Sequence, residues 1–196
     1  MSSSETQPLI PLRLVRVVIR ESSAEQWIFL EEDTEADDPR GFPIVIGSSE
    51  AGEIHRIITE APTPRPLTHQ LTLSAIHALG SELVGVDIVD LRTNTFYAQL
   101  RLTPPNGADP EGAEEILVDA RPSDALALAL RAGAQIRVAE SVLQQVRTDT
   151  ATDVLPDPDA PDAAGDFDEF EGFKIDEDPD EESGGDAETE GDDETK

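Results

Sequence analysis

The chain has 196 residues, no cysteine, and 14 basic against 43 acidic side chains, a formal charge of −29. The missing cysteines exclude a disulfide framework, a thiol nucleophile and every thiolate metal site. The negative balance argues against holding nucleic acid by Lys and Arg spread over the surface, so such a role needs a local basic patch or bridging metal ions.

Residues 1–11 are expected to be a flexible N-terminus. They lack the positive region and unbroken apolar run of a signal peptide, and no stretch of the chain approaches the roughly 18 apolar residues of a membrane span. A cytoplasmic protein without membrane contact is the expectation. Leu12 to Arg20 is a β-branched run interrupted by Arg, as suits a strand with one wetter face. Gln26 to Glu32 reads as its partner, and Phe42 to Ile46, closed by Gly47, as a third strand. From Ser49 the apolar spacing changes, with Ala51, Ile54, Ile57, Ile58 and Ala61 on one helical face. Pro62, Pro64 and Pro66 then make a stiff linker, because each residue before a proline is pushed toward extended conformations. Thr68 is expected to cap a helix through Leu79, with Leu71, Ile76 and Leu79 among its apolar positions and Gly80 ending it.

Leu83 to Leu91 and Thr95 to Leu102 form the clearest hairpin, joined by Arg92, Thr93 and Asn94. After an exposed loop comes a strand at Ile116 to Ala120. A helix through Arg131 opens at Arg121-Pro122-Ser123-Asp124, either with Pro122 as its first residue or with Ser123 as cap and Asp124 in the first turn. A short strand, Ile136 to Val138, and a last helix, Glu140 to Arg147, follow. The order β-β-β-α-α-β-β-β-α-β-α predicts an α+β fold: one compact domain over residues 12–147 with a mixed sheet and several helices. Residues 1–147 hold 12 Arg and 22 acids, a balance of −10, whereas residues 148–196 hold two Lys and 21 acids, a balance of −19. The second stretch has too few apolar residues to offset the entropy of ordering and is expected to be a disordered acidic tail.

His55 and His77 read as helix-surface residues. His69, at a helix start beside the proline linker, could act as acid, base or ligand, or as a hydrogen bonder that fixes the loop. Glu50, Asp119 and Asp124 lie near element ends and could together hold a divalent cation through oxygen ligands, although an acid in a first helical turn is also stabilised by the helix dipole alone. Arg65 and Arg121 could bind phosphate bidentately or pair with the abundant carboxylates. No phosphate-binding Gly-rich loop, nucleophile elbow or dinucleotide fingerprint is present in the sequence.

Four strings occur together in order: Phe42-Pro-Ile-Val-Ile-Gly-Ser-Ser-Glu50, Pro64-Arg-Pro-Leu-Thr-His69, Asn94-Thr-Phe-Tyr-Ala98 and Asp119-Ala-Arg-Pro-Ser-Asp-Ala125. With them the chain resembles the bifunctional nuclease domain family across about residues 12–147. The resemblance implies a small α+β domain hydrolysing DNA and RNA phosphodiesters with little sequence preference, nucleic acid being the partner and homo-oligomerisation left open. The matching positions include Glu50, Arg65, His69, Asn94, Tyr97, Asp119, Arg121, Ser123 and Asp124. On this reading Glu50, Asp119 and Asp124 hold Mg²⁺ or Mn²⁺, and Arg65, Arg121 and Ser123 bind substrate. His69 is the general acid or base, with Glu50 and Asp124 counted among the catalytic groups. The chain departs from the family at Gln70, where Asp is usual, and at Gln135, where Pro is usual. The competing reading is a non-enzymatic binding or regulatory module in which the same strings shape loops and caps.

Overall fold

The computed structural model describes residues 7–20, 25–105 and 114–150. Strands β1 (Leu9–Val18), β2 (Glu25–Glu32) and β3 (Gly41–Gly47) come first, then helices α1 (Ser48–Ile58) and α2 (Thr68–Ala78). Strands β4 (Leu83–Arg92), β5 (Thr95–Leu102) and β6 (Ile116–Ala120) follow, and α3 (Pro122–Ala132), β7 (Gln135–Ala139) and α4 (Glu140–Thr150) complete the order. The seven strands make one sheet in the order β3-β2-β1-β7-β4-β5-β6. Only β7 makes it mixed, since it lies antiparallel to β1 and parallel to β4. The fold is α+β, as the element order predicts.

Side-chain alternation gives the sheet one buried face. Ile28 and Leu30 on β2, Ile44 and Ile46 on β3, and Ile136 and Val138 on β7 are buried between more exposed neighbours. Helix α3 fills the centre of that face: Ala125 to Ala129 are buried without a break, and the helix packs on α1, α2, β4 and β5. The sheet curls around this core, so that Phe42 of β3 stacks on Phe96 of β5 with ring centroids 5.4 Å apart, although four strands separate β3 from β5 in the sheet order. Such curling follows from the twist that L-residues impose on strands.

Several boundaries differ from the sequence expectations. Strand β1 starts at Leu9, so Leu9 to Pro11, assigned above to the flexible N-terminus, pair with Ala139 to Arg137 of β7. Helix α4 runs on to Thr150, so residues 148–150 extend it; the rest of the expected acidic tail lies outside the described residues. Thr68 is the first residue of α2, and Leu67 is its cap. In α2 only Leu73 is buried, whereas Leu71 and Leu79 are 61% and 74% exposed. Of the two openings considered for α3, the one with Pro122 as first residue is found, Arg121 being the cap. Gly133, at φ +63, ends α3 in the left-handed conformation that glycine adopts without strain. The β4–β5 hairpin turns through Thr93 and Asn94, both at positive φ, the geometry that matches strand twist in two-residue hairpins. Among the described residues, no helix is long and apolar enough to cross a membrane.

Candidate functional site

Three helices begin at one place. Glu50 is the third residue of α1, His69 the second of α2 and Asp124 the third of α3, and Arg121 caps α3. None of the three caps closes a side-chain hydrogen bond to its helix. The positive ends of three backbone dipoles, with first-turn N–H groups free of a side-chain cap, are therefore brought together. Glu50 and Asp124 are the acids that such ends favour. Gly47 makes room for Glu50, because a Cβ at Gly47 would stand 2.5 Å from Glu50 Oε2.

Arg121 ties the helices. Its Nη2 donates to Glu50 Oε1 at 2.8 Å, and its Nε to Asp124 Oδ2 at 2.9 Å. His69 Nε2 lies 3.1 Å from Asp124 Oδ1. Burial pushes the Asp124 carboxyl up, but hydrogen bonds from Arg121 and His69 outweigh it and leave the group below the usual aspartate range. An ionised carboxylate only accepts, so the proton of the His69–Asp124 bond sits on Nε2. Asp124 and Glu50 in turn raise the Arg121 guanidinium above its ordinary value. The Arg121 side chain is nevertheless 66% exposed, whereas those of Glu50 and His69 are 16% and 14% exposed.

Beneath this mouth lies Glu53, which the sequence reading passed over. It is 3% exposed. Arg131 Nη2 donates to its Oε1 at 2.7 Å and Arg56 Nη2 to its Oε2 at 3.0 Å, and His69 Nδ1 stands 4.0 Å from Oε1. Burial pushes Glu53 up, and the two arginines more than reverse the effect, leaving it below the usual glutamate range. The signal for it was present: Glu53 follows Glu50 by three residues and precedes Ile54 and Ile57 on the inward side of α1, where an acid needs a partner.

The structure thus joins Glu50, His69, Arg121 and Asp124. It does not join the others. Asp119 is exposed on β6 opposite Gln99; alternation puts it on the face of the sheet away from Ala120, which packs against the core. The expected Glu50–Asp119–Asp124 cation site is therefore not assembled, and among the described residues no group of three or more His, Asp or Glu side chains stands as metal donors do. The two carboxylates that remain are bridged by Arg121, so the donor set does not fit a divalent ion. Arg65 is exposed in the proline linker and outside the network, without an ion pair to any described residue. Ser123 is 8% exposed and makes no hydrogen bond to the cluster.

The bifunctional nuclease domain model matches residues 28–151, and the chain belongs to that family. Two relatives from Mycobacterium tuberculosis, the uncharacterized protein MT1877 of strain CDC 1551 / Oshkosh and the uncharacterized protein Rv1829 of strain ATCC 25618 / H37Rv, are each 40% identical over 134 residues, which is 68% of this chain and 74% of theirs. The matched stretch contains every member of the Glu50–His69–Arg121–Asp124 cluster.

Proposed function

We propose that the domain is a nuclease that hydrolyses DNA and RNA phosphodiesters where α1, α2 and α3 begin. One observation carries this reading: an exposed arginine stands where three helix N-termini meet, beside a histidine whose Nε2 holds a proton. Backbone N–H groups and a guanidinium together form a site for a phosphate. The incoming phosphate takes Arg121 from Glu50 and Asp124. Water adds to phosphorus and passes a proton to the released Glu50; the ester P–O bond breaks, and the leaving oxygen takes the Nε2 proton of His69 in its imidazolium form, which keeps its second proton on Nδ1 toward Glu53. Asp124 orients the imidazole through the Nε2 proton until that proton is passed on. Groups that address phosphate carry no base information, in keeping with little sequence preference for DNA or RNA.

The test is turnover of single-stranded DNA and RNA by the purified full chain, in Mg²⁺, in Mn²⁺ and in chelator. Arg121→Ala should lose about 10²-fold or more, as loss of a charge-stabilising donor does, and His69→Asn should lose on the order of 10²-fold or more. Asp119→Asn should leave turnover unchanged. The comparable exposed arginine is Arg92, and Arg92→Ala should also be neutral. Equal turnover in all four variants would overturn the assignment.

A second reading has its own observation. Both ring nitrogens of His69 face carboxylates, Asp124 at 3.1 Å and Glu53 at 4.0 Å. A ring held on both sides suits a strut better than a proton carrier, and the same mouth would then bind nucleic acid without cutting it. Binding lost in Arg121→Ala, with no turnover by the unmodified chain under any ionic condition, would select this module.

A further inference from the structure

The face of the sheet turned away from the helices carries arginines, glutamates and aromatic rings at one end. On β1, a bulge between Leu14 and Arg16 resets the alternation, so that Arg13 and Arg16, three residues apart, lie on the same face. Arg13 stands opposite Glu31, with which it is ion-paired at 3.6 Å, Arg16 opposite Phe29 and Val18 opposite Trp27. On the next strand Pro43 stands opposite Phe29 and Val45 opposite Trp27. The Arg16 guanidinium lies 4.5 Å from the centroid of the Phe29 ring. Val45 is 46% exposed and Trp27 and Phe29 are half-buried, and no described helix covers them, since the helices pack on the face of Ile28, Leu30 and Ile44. Paired aromatic and aliphatic side chains left open beside two arginines form a surface for an apolar segment that also carries negative charge.

The chain contains such a segment. Asp166-Phe-Asp-Glu-Phe-Glu-Gly-Phe-Lys-Ile175 places Phe167, Phe170 and Phe173, half of the chain's six phenylalanines, among four acids and one lysine. It follows the end of α4 at Thr150 by 15 residues (151–165), which at about 3.3 Å per residue reach roughly 50 Å. A tethered segment of this kind is present at an effective concentration on the order of millimolar, far above a free ligand. We propose that residues 166–175 dock on the β1–β2–β3 face, their phenylalanines on Trp27, Phe29 and Val45 and their carboxylates toward Arg13 and Arg16. This contact is independent of the His69 site, which lies at the helix starts.

Trp27 is the chain's single tryptophan, so its fluorescence reports on this face alone. The full chain should be compared with a full-length F167S/F170S/F173S variant by emission maximum and acrylamide quenching. The docked segment predicts a red shift and easier quenching in the variant. It also predicts that salt moves the unmodified chain part of the way toward the variant, by screening the arginines. Identical spectra and quenching in the two chains would overturn the proposal. So would protection of Trp27 that grows with protein concentration in both chains, which would mark a second copy as the occupant. Quenching of Trp27 by an oligothymidylate to the same extent in both chains would overturn it in favour of nucleic acid.

Discussion

Glu53 is the residue on which the site rests. Two arginines and a histidine surround a carboxylate that is almost wholly buried, and each of the two arginines would be left without this acid if it were neutralised. Glu53→Gln should cost about 3–5 kcal/mol at neutral pH, as breaking a buried ion pair does, seen as a lower unfolding midpoint. The pH dependence follows from the direction of the shifts. Glu53 and Asp124 are both held below their unfolded values, so their contribution is complete above those values, near pH 4 to 4.5, and is lost as pH falls through the lower folded ones. The unmodified chain should lose stability steeply below about pH 4, and Glu53→Gln should flatten that slope; an unchanged acid limb in the variant would show that Glu53 is not its source. Little of this arrangement was legible beforehand. His69, Arg121, Asp124 and Glu50 stand out in the sequence because they sit beside prolines and glycines that mark helix starts. Glu53 sits in mid-helix, and nothing local says that Arg131, 78 residues away, will reach it.

At the level of elements, the sequence order of strands and helices is the observed one, because each element carries its own period and its own stop signal. Tertiary packing decides which apolar residues of α2 are covered. Its apolar residues do not fall on one stripe, and among the described elements the helix packs chiefly on α3, so Leu73 is buried while Leu71 and Leu79 face out. Leu73→Ala should therefore cost roughly 2–5 kcal/mol, the range for a buried leucine. Leu71→Ser should stay within about 0.5 kcal/mol of the unmodified chain, as surface substitutions do. Denaturant midpoints measured side by side check this, and equal losses at the two positions would mean that the outer side of α2 is covered. The missed start of β1 has a similar cause. Leu9 to Pro11 carry little strand pattern of their own and are ordered by pairing with β7, more than 120 residues later.

For the whole molecule, the insertion of β7 between β1 and β4 decides where function can sit. It closes the sheet around α3 and so brings the starts of α1, α2 and α3 together, while β6 carries Asp119 to the opposite face. Pairings of this range are set by packing rather than by local pattern. For that reason the sequence yields the fold class but not the strand order, and it groups Asp119 with residues from which the sheet separates it. The balance over residues 1–147 is −10, so on the proposed reading a polyanion is attracted locally, at Arg121. Binding of a single-stranded oligonucleotide over a range of salt concentrations tests this most directly. Arg121→Ala should bind more weakly, with a slope of log K against log salt shallower by about 0.7, the loss of one phosphate contact, whereas Glu50→Gln, which frees Arg121 from a competing carboxylate, should bind more tightly. Unchanged affinity and slope in Arg121→Ala would contradict the assignment of the phosphate to the meeting point of the three helices.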